Sequence, residues 1–164
     1  MKKQKGFSLI ELLIVVAIIL IIAAIAIPNL LRAKIAANEA SAVGSMRTIV
    51  TGEVSYAAAG WTNAGKPVGY SAALADLGGT TYNPPTSTTT CLIDDVLAKA
   101  TTANTPKSGY FFTYVQTNAG SSFTLNGNPA APGQTGSRYF FADQSGVIRF
   151  NAAAAATASD NALQ

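Results

Sequence analysis

The residue with the most unusual chemistry is an acid in an apolar setting. Glu11 sits inside the run FSLIELLIVVAIILIIAAIAI, 21 residues from Phe7 to Ile27, which only Ser8 and Glu11 interrupt. A carboxylate within a membrane helix costs about 2.5–3.5 kcal/mol on insertion scales. Near the helix end it reaches the headgroups in part. Alternatively it meets a cation inside an apolar assembly, and an α-amino group freed at Phe7 of a neighbouring copy would supply one. Such a pair fixes axial register, because any other stagger leaves a buried charge unpaired at about 3–5 kcal/mol. The bond that would have to break lies between Gly6 and Phe7, before the apolar run. A secretory signal peptide has a shorter apolar core with its cleavage site after it, so a cut here retains the helix in the mature chain.

Other chemistry is sparse. The chain has no histidine, which excludes Ser–His–Asp and Cys–His arrangements. A single cysteine, Cys91, excludes an intrachain disulfide and any Cys-rich metal cluster, and reads as a small hydrophobe or an interchain partner. Gly65-Lys66-Pro67 lacks the rest of a phosphate-binding loop, and Asp94 and Asp95 diverge on a helix instead of forming a dyad. No catalytic residue, metal site or cofactor is expected. The net charge of +3 equals the contribution of Lys2, Lys3 and Lys5. Without them the side-chain charges balance, so basicity is no argument for nucleic acid. A basic stretch before an apolar run is instead a cytoplasmic orientation signal.

The elements that position these residues follow from pattern. At about 1.5 Å per residue the apolar run makes a helix of roughly 32 Å, enough to cross a hydrocarbon core of about 30 Å. Pro28 lacks an N–H and is expected to kink the helix. Beyond it Leu31, Ile35, Ala42, Met46, Val50 and Val54 recur at near-helical spacing, which predicts an amphipathic continuation to about Tyr56 that packs on a head domain. Ser71 to Gly78 predicts a short helix with Ser71 as N-cap and Gly78 as terminator, and Ile93 to Ala100 a second. Asn83 to Thr90 reads as an exposed Pro/Ser/Thr loop. Tyr110–Val115, Ser122–Leu125, Arg138–Phe141 and Val147–Phe150 are aromatic and β-branched runs of strand length. Turns are expected at Asn126–Pro129 and Asp143–Gly146. The aromatics Tyr110, Phe111, Tyr139 and Phe140 read as core.

The expected organisation is a basic leader at 1–6 that is removed, a hydrophobic helix at 7–28 and its amphipathic half at 29–56. A connecting region with short helices at 57–108, an antiparallel sheet at 109–151 and a flexible tail at 152–164 complete it. The fold class is α+β: one long helix on a sheet of about four strands.

Lys5-Gly6-Phe7-Ser8-Leu9-Ile10-Glu11-Leu12-Leu13-Ile14-Val15-Val16, continuing to Ala26-Ile27-Pro28, resembles the class III signal and N-terminal helix of type IV pilins and type II secretion pseudopilins. The resemblance covers about the first thirty residues. It implies cleavage of Gly6–Phe7 by a prepilin peptidase, N-methylation of Phe7, and a role for Glu11 in recruiting and registering subunits. It also implies an inner-membrane assembly platform and an ATPase as partners, and other copies of the chain as the polymer. The implied location is the inner membrane, N-terminus in the cytoplasm, before assembly, and an extracellular pilus or periplasmic pseudopilus afterwards. Ser8 stands where the family commonly has Thr, and keeps the hydroxyl. The implied function is a pilus subunit for adhesion, motility or DNA uptake. The alternatives are a secretion pseudopilin, or a minor pilin or single-pass anchored binding module. The acidic calcium-loop constellation of the major pseudopilins has no counterpart here, since Asp143 and Asp160 are isolated. With one cysteine, the C-terminal loop that a disulfide closes in many pilins is expected to be held by packing.

Overall fold

A computed structural model describes residues 7–63, 66–79 and 86–163. The expected leader with Lys2, Lys3, Lys5 and Gly6, the residue Gly65, and the start of the Pro/Ser/Thr loop at 83–85 lie outside the described residues. The chain divides into two compact units, Met1–Lys34 and Ile35–Gln164.

The first unit is helical. Helix α1 spans Leu9–Ala58, and its residues up to 34 make up this unit. Pro28 lies inside α1, and the helix is assigned without a break through it. Its missing N–H removes one backbone hydrogen bond, to the carbonyl of Ala24, a loss that the rest of a 50-residue helix can carry.

The second unit is the head, an α+β layer built on residues 35–58 of α1. Their buried positions, Glu39, Ala42, Val43, Ser45, Met46, Ile49, Gly52, Glu53 and Tyr56, fall three, four and seven apart and form one stripe. Against them lies a five-stranded antiparallel sheet in sequential order: β3 (Tyr110–Thr117), β4 (Ser122–Pro129), β5 (Tyr139–Asp143), β6 (Arg149–Asn151) and β7 (Asn161–Ala162). A separate two-stranded ribbon pairs β1 (Thr62–Asn63) with β2 (Lys66–Pro67). Alternation sets the faces. Phe112, Phe123, Leu125, Phe140 and Ala142 point inward and are fully buried with Met46 and Ile49. Tyr110 and Phe140 are core as expected, whereas Phe111 and Tyr139 are half-buried on the other face.

The sheet differs from the expected one in three ways. Asn126–Pro129 is not a turn but the second half of β4, paired with Tyr110–Thr113. The reversal that follows β4 comes later, in residues 130–138, and β3 turns into β4 at Asn118–Gly120, where Asn118, Ala119 and Gly120 all have positive φ. Gly127 has a packing role instead. A Cβ there would lie 3.0 Å from Met46 Sδ, so glycine lets the helix approach the strand. The sheet also gains a fifth strand. The 152–164 segment, expected as a loose tail, returns to pair β7 with β6 and buries Ala156. Hydrogen bonds hold it where packing alone was expected. Asn126 Nδ2 donates to the Ala156 carbonyl at 2.9 Å, Arg149 Nη1 to the Asp160 carbonyl at 2.9 Å, and the Leu163 N–H to the Ile148 carbonyl at 2.7 Å.

The two short helices are present but shorter. Leu74–Leu77 is a 3-10 turn that starts after Ala73, so Ser71 does not cap it. Helix α2 is Asp95–Lys99, with the Asp94 side chain accepting the Leu97 N–H.

Glu39 fastens the loop between β4 and β5 to α1. Its Oε1 accepts from Ser137 N–H at 2.9 Å and Ser137 Oγ at 2.7 Å, and its Oε2 from Arg138 Nε at 2.7 Å. The guanidinium also lies 5.6 Å from the ring centroids of Phe140 and Phe150. Burial works against the charge of Glu39, but Ser137 and then Arg138 outweigh it and hold the carboxyl below its ordinary range. A depressed pKa contributes stability above the unfolded-state pKa that is lost as pH falls through the folded one. Arg138→Ala is therefore expected to cost about 1–3 kcal/mol at neutral pH. Glu39→Gln should flatten the acid side of the stability curve, which thermal melts against pH would measure.

Candidate assembly site

The site predicted at the N-terminus lies wholly in the first unit. Phe7 precedes α1 and is 83% exposed. Ser8 directly precedes the first helical residue and Glu11 is the third, and Glu11 Oε2 accepts the Ser8 backbone N–H at 2.9 Å. That is the reach-back half of a capping box, in which a Glu in the first turn satisfies a free N–H at the helix start. The helix dipole also favours an anion there. Phe7 and Glu11 thus share one end of the helix, with Pro28 inside the same helix; Gly6 is outside the described residues.

Among the described residues of this unit, the large apolar side chains are exposed. Leu9, Ile10, Leu12, Leu13, Ile18, Ile19, Leu20, Ile21, Ile22, Ile25 and Ile27 are all more than half exposed. Soluble surfaces rarely carry a contiguous apolar patch above a few hundred Å². At about 25 cal/mol per Å² this surface must be covered by lipid or protein. By length and composition the helix can cross a membrane.

The head contributes no reacting constellation among its described residues. Asp94 pairs with Lys107 Nζ at 2.5 Å and Asp95 with Lys99 Nζ at 2.5 Å, so the neighbouring acids diverge. No three His, Cys, Asp or Glu side chains gather among the described residues. Cys91 is half-exposed, with φ of +54°.

Sequence reading missed Glu53, which is fully buried in the head against Ser71. The signal was present: Glu39, Met46 and Glu53 are spaced by seven residues, so both acids share the apolar stripe of α1.

One comparison with known proteins finds a likeness at the same end. Residues 1–27 match the prokaryotic N-terminal methylation motif. The chain is 64% identical over 39 residues to the type IV wide pilus major component PilA4 of Thermus thermophilus, covering 24% of this chain and 30% of that one. It is 43% identical over 54 residues to the type IV major pilin protein PilA of Myxococcus xanthus, covering 33% of this chain and 24% of that one. The chain thus spans less than a third of the length of each of these relatives. No solved structure matches the chain.

Proposed function

We propose that the chain is a structural subunit of a type IV pilus-like filament that polymerises through α1; the match of residues 1–27 to the N-terminal methylation motif and the partial likeness to two type IV pilins support this reading. One observation carries the reading: a membrane-length apolar helix, uncovered along its length, keeps a carboxylate at Glu11 beside the Phe7 end. A plain anchor has no use for that charge in hydrocarbon. In this reading Lys2, Lys3 and Lys5 hold the leader in the cytoplasm and the head lies outside. A prepilin peptidase cuts Gly6–Phe7, the new amine is N-methylated, and an ATPase-driven platform lifts the subunit into the filament. Lipid around the helix is exchanged for protein, so packing and the Glu11–amine pair supply the specificity. Adhesion, motility and DNA uptake are the uses such a filament would serve.

The test is N-terminal mass spectrometry of protein sheared from the cell surface. The expected mature chain begins at N-methylated Phe7. A chain starting at Met1 and confined to membranes would refute the reading. Gly6→Val should block cleavage and leave the leader attached; normal mature protein from that variant would refute the cleavage site.

A further inference from the structure

Glu53 is a buried acid that the proposed assembly does not use, and the oxygens around it allow its protons to be counted. Its Oε2 accepts the Ser71 N–H at 2.9 Å, and its Oε1 lies 2.5 Å from Ser71 Oγ. The same Oγ lies 3.1 Å from the Ala73 carbonyl oxygen. A serine hydroxyl carries one hydrogen, and an ionised carboxylate and a carbonyl carry none to share. The single hydroxyl hydrogen can be shared between the two acceptors, but a full hydrogen bond to each needs a second proton. A protonated Glu53 supplies it: the carboxyl donates to Oγ, Oγ donates to Ala73, and Oε2 still accepts from Ser71 N–H.

The surroundings agree. Asp76, on the turn Leu74–Leu77, adds negative potential, and Tyr56 on α1 and Tyr114 on β3 are the other titratable groups facing the site. Tyr114 Oη donates to the Ser71 carbonyl at 2.9 Å. Among the described residues no Lys or Arg is ion-paired with Glu53. Burial pushes its pKa up, more strongly than the hydrogen bonds from Ser71 and from the Tyr114 hydroxyl pull it down.

We propose that Glu53 is held as a neutral carboxylic acid in the folded head, and that its proton latches the 68–77 segment to α1. Its ends are fixed elsewhere, by Val68 N–H to the Trp61 carbonyl at 2.9 Å and by buried Leu74 and Leu77, whose 3-10 turn also accepts from Thr90, Leu92 and Ile93. Around Ser71 itself the remaining ties are Tyr70 N–H to the Gly120 carbonyl at 2.9 Å, Gln116 Nε2 to the Tyr70 carbonyl at 2.6 Å, and Tyr114 to the Ser71 carbonyl. Ionisation would leave an uncompensated charge in the core and withdraw the Ser71 hydroxyl from the Ala73 carbonyl, which keeps the Asp76 N–H at 3.0 Å. The latch therefore opens in alkali. A raised folded pKa contributes stability that is complete below the unfolded-state value and is lost as pH rises through the folded one.

The test is amide hydrogen exchange at Tyr70 and Ser71 in the full chain in detergent, corrected for intrinsic rates, from about pH 5 to about pH 9. The opening constant should rise up to about tenfold per pH unit above the ordinary carboxylate range and then level off. Amides of β4 should stay flat, and Glu53→Gln, which keeps both hydrogen bonds, should be flat at Tyr70 and Ser71. A flat wild-type profile would overturn the proposal, as would a Gln variant that follows the wild-type curve. Carbon-13 NMR of the wild-type Glu53 carboxyl settles the matter if the variant fails to fold. Titration within the ordinary carboxylate range would overturn the latch, and titration above it would support it.

Discussion

Glu11→Ala is expected to be processed and membrane-inserted in normal amounts, yet to yield at most about one-hundredth of the surface filament. Two effects act in the same direction. Removing the carboxylate stabilises the dispersed, lipid-embedded subunit by about 2.5–3.5 kcal/mol, the insertion cost of the charge. It also leaves a neighbouring Phe7 amine without its partner in an apolar filament, at about 3–5 kcal/mol. The helix itself changes little, since loss of the contact to the Ser8 N–H costs about 1 kcal/mol and alanine's helix propensity returns part of it. Comparing sheared surface material with the membrane fraction measures the partition. Glu11→Gln separates the two roles of the side chain, because an amide oxygen can still cap the Ser8 N–H but cannot neutralise an amine. Assembly at wild-type level by the Gln variant would reduce Glu11 to a helix cap, and abundant filament from the Ala variant would remove the register argument entirely.

The two ends of the chain differ in how far the sequence determines what is seen. Near the N-terminus the information is local. Apolar content, the position of Glu11 and the placement of Pro28 need no tertiary partner to be read, and α1 appears where they place it. In the head the strands were legible because alternation is local too, and four of the five sheet strands lie on the expected aromatic runs. The misreadings arise where a distant residue overrides a local preference. Asn126-Gly127-Asn128-Pro129 has turn composition, but Met46 fills the space over Gly127 and Pro129 stands at the last position of β4, where a missing N–H is tolerated. Ser71 has the composition of an N-cap, but Glu53 claims its hydroxyl and its N–H. The C-terminal alanines carry no pattern at all. Their segment is placed by Asn126 on the Ala156 carbonyl, Arg149 on the Asp160 carbonyl and Leu163 N–H on the Ile148 carbonyl, partners that cannot be inferred from the alanines themselves.

Gly120→Ala is expected to destabilise the head by about 3 kcal/mol or more, lowering its melting temperature by roughly 10 °C. Gly120 has φ of +91°, and a Cβ built there would lie 2.1 Å from the Val68 carbonyl oxygen. The approach is reciprocal: Gly69, with φ of +68°, would place a Cβ 2.2 Å from the Gly120 carbonyl oxygen. Both obstacles are backbone, so no rotamer change relieves them, and the 68–71 segment has to move away. That displacement breaks the Tyr70 N–H bond to Gly120 at about 1 kcal/mol. It also pulls the Tyr70 ring off Phe123, against which it packs edge-on at 4.9 Å. Gly133→Ala provides the control, since its φ of +78° imposes similar backbone strain with nothing within 4 Å of the new methyl. The excess loss in Gly120→Ala measures the backbone crowding alone, and equal melting temperatures for the two variants would mean that the crowding carries no energy. Because the same displacement takes Ser71 away from Glu53, Gly120→Ala should also raise exchange at Tyr70 and Ser71 at acid pH, where the protonated carboxyl would otherwise hold the segment closed. The β4 amides of Phe123 and Leu125, deeper in the sheet, should change only by the global loss of stability.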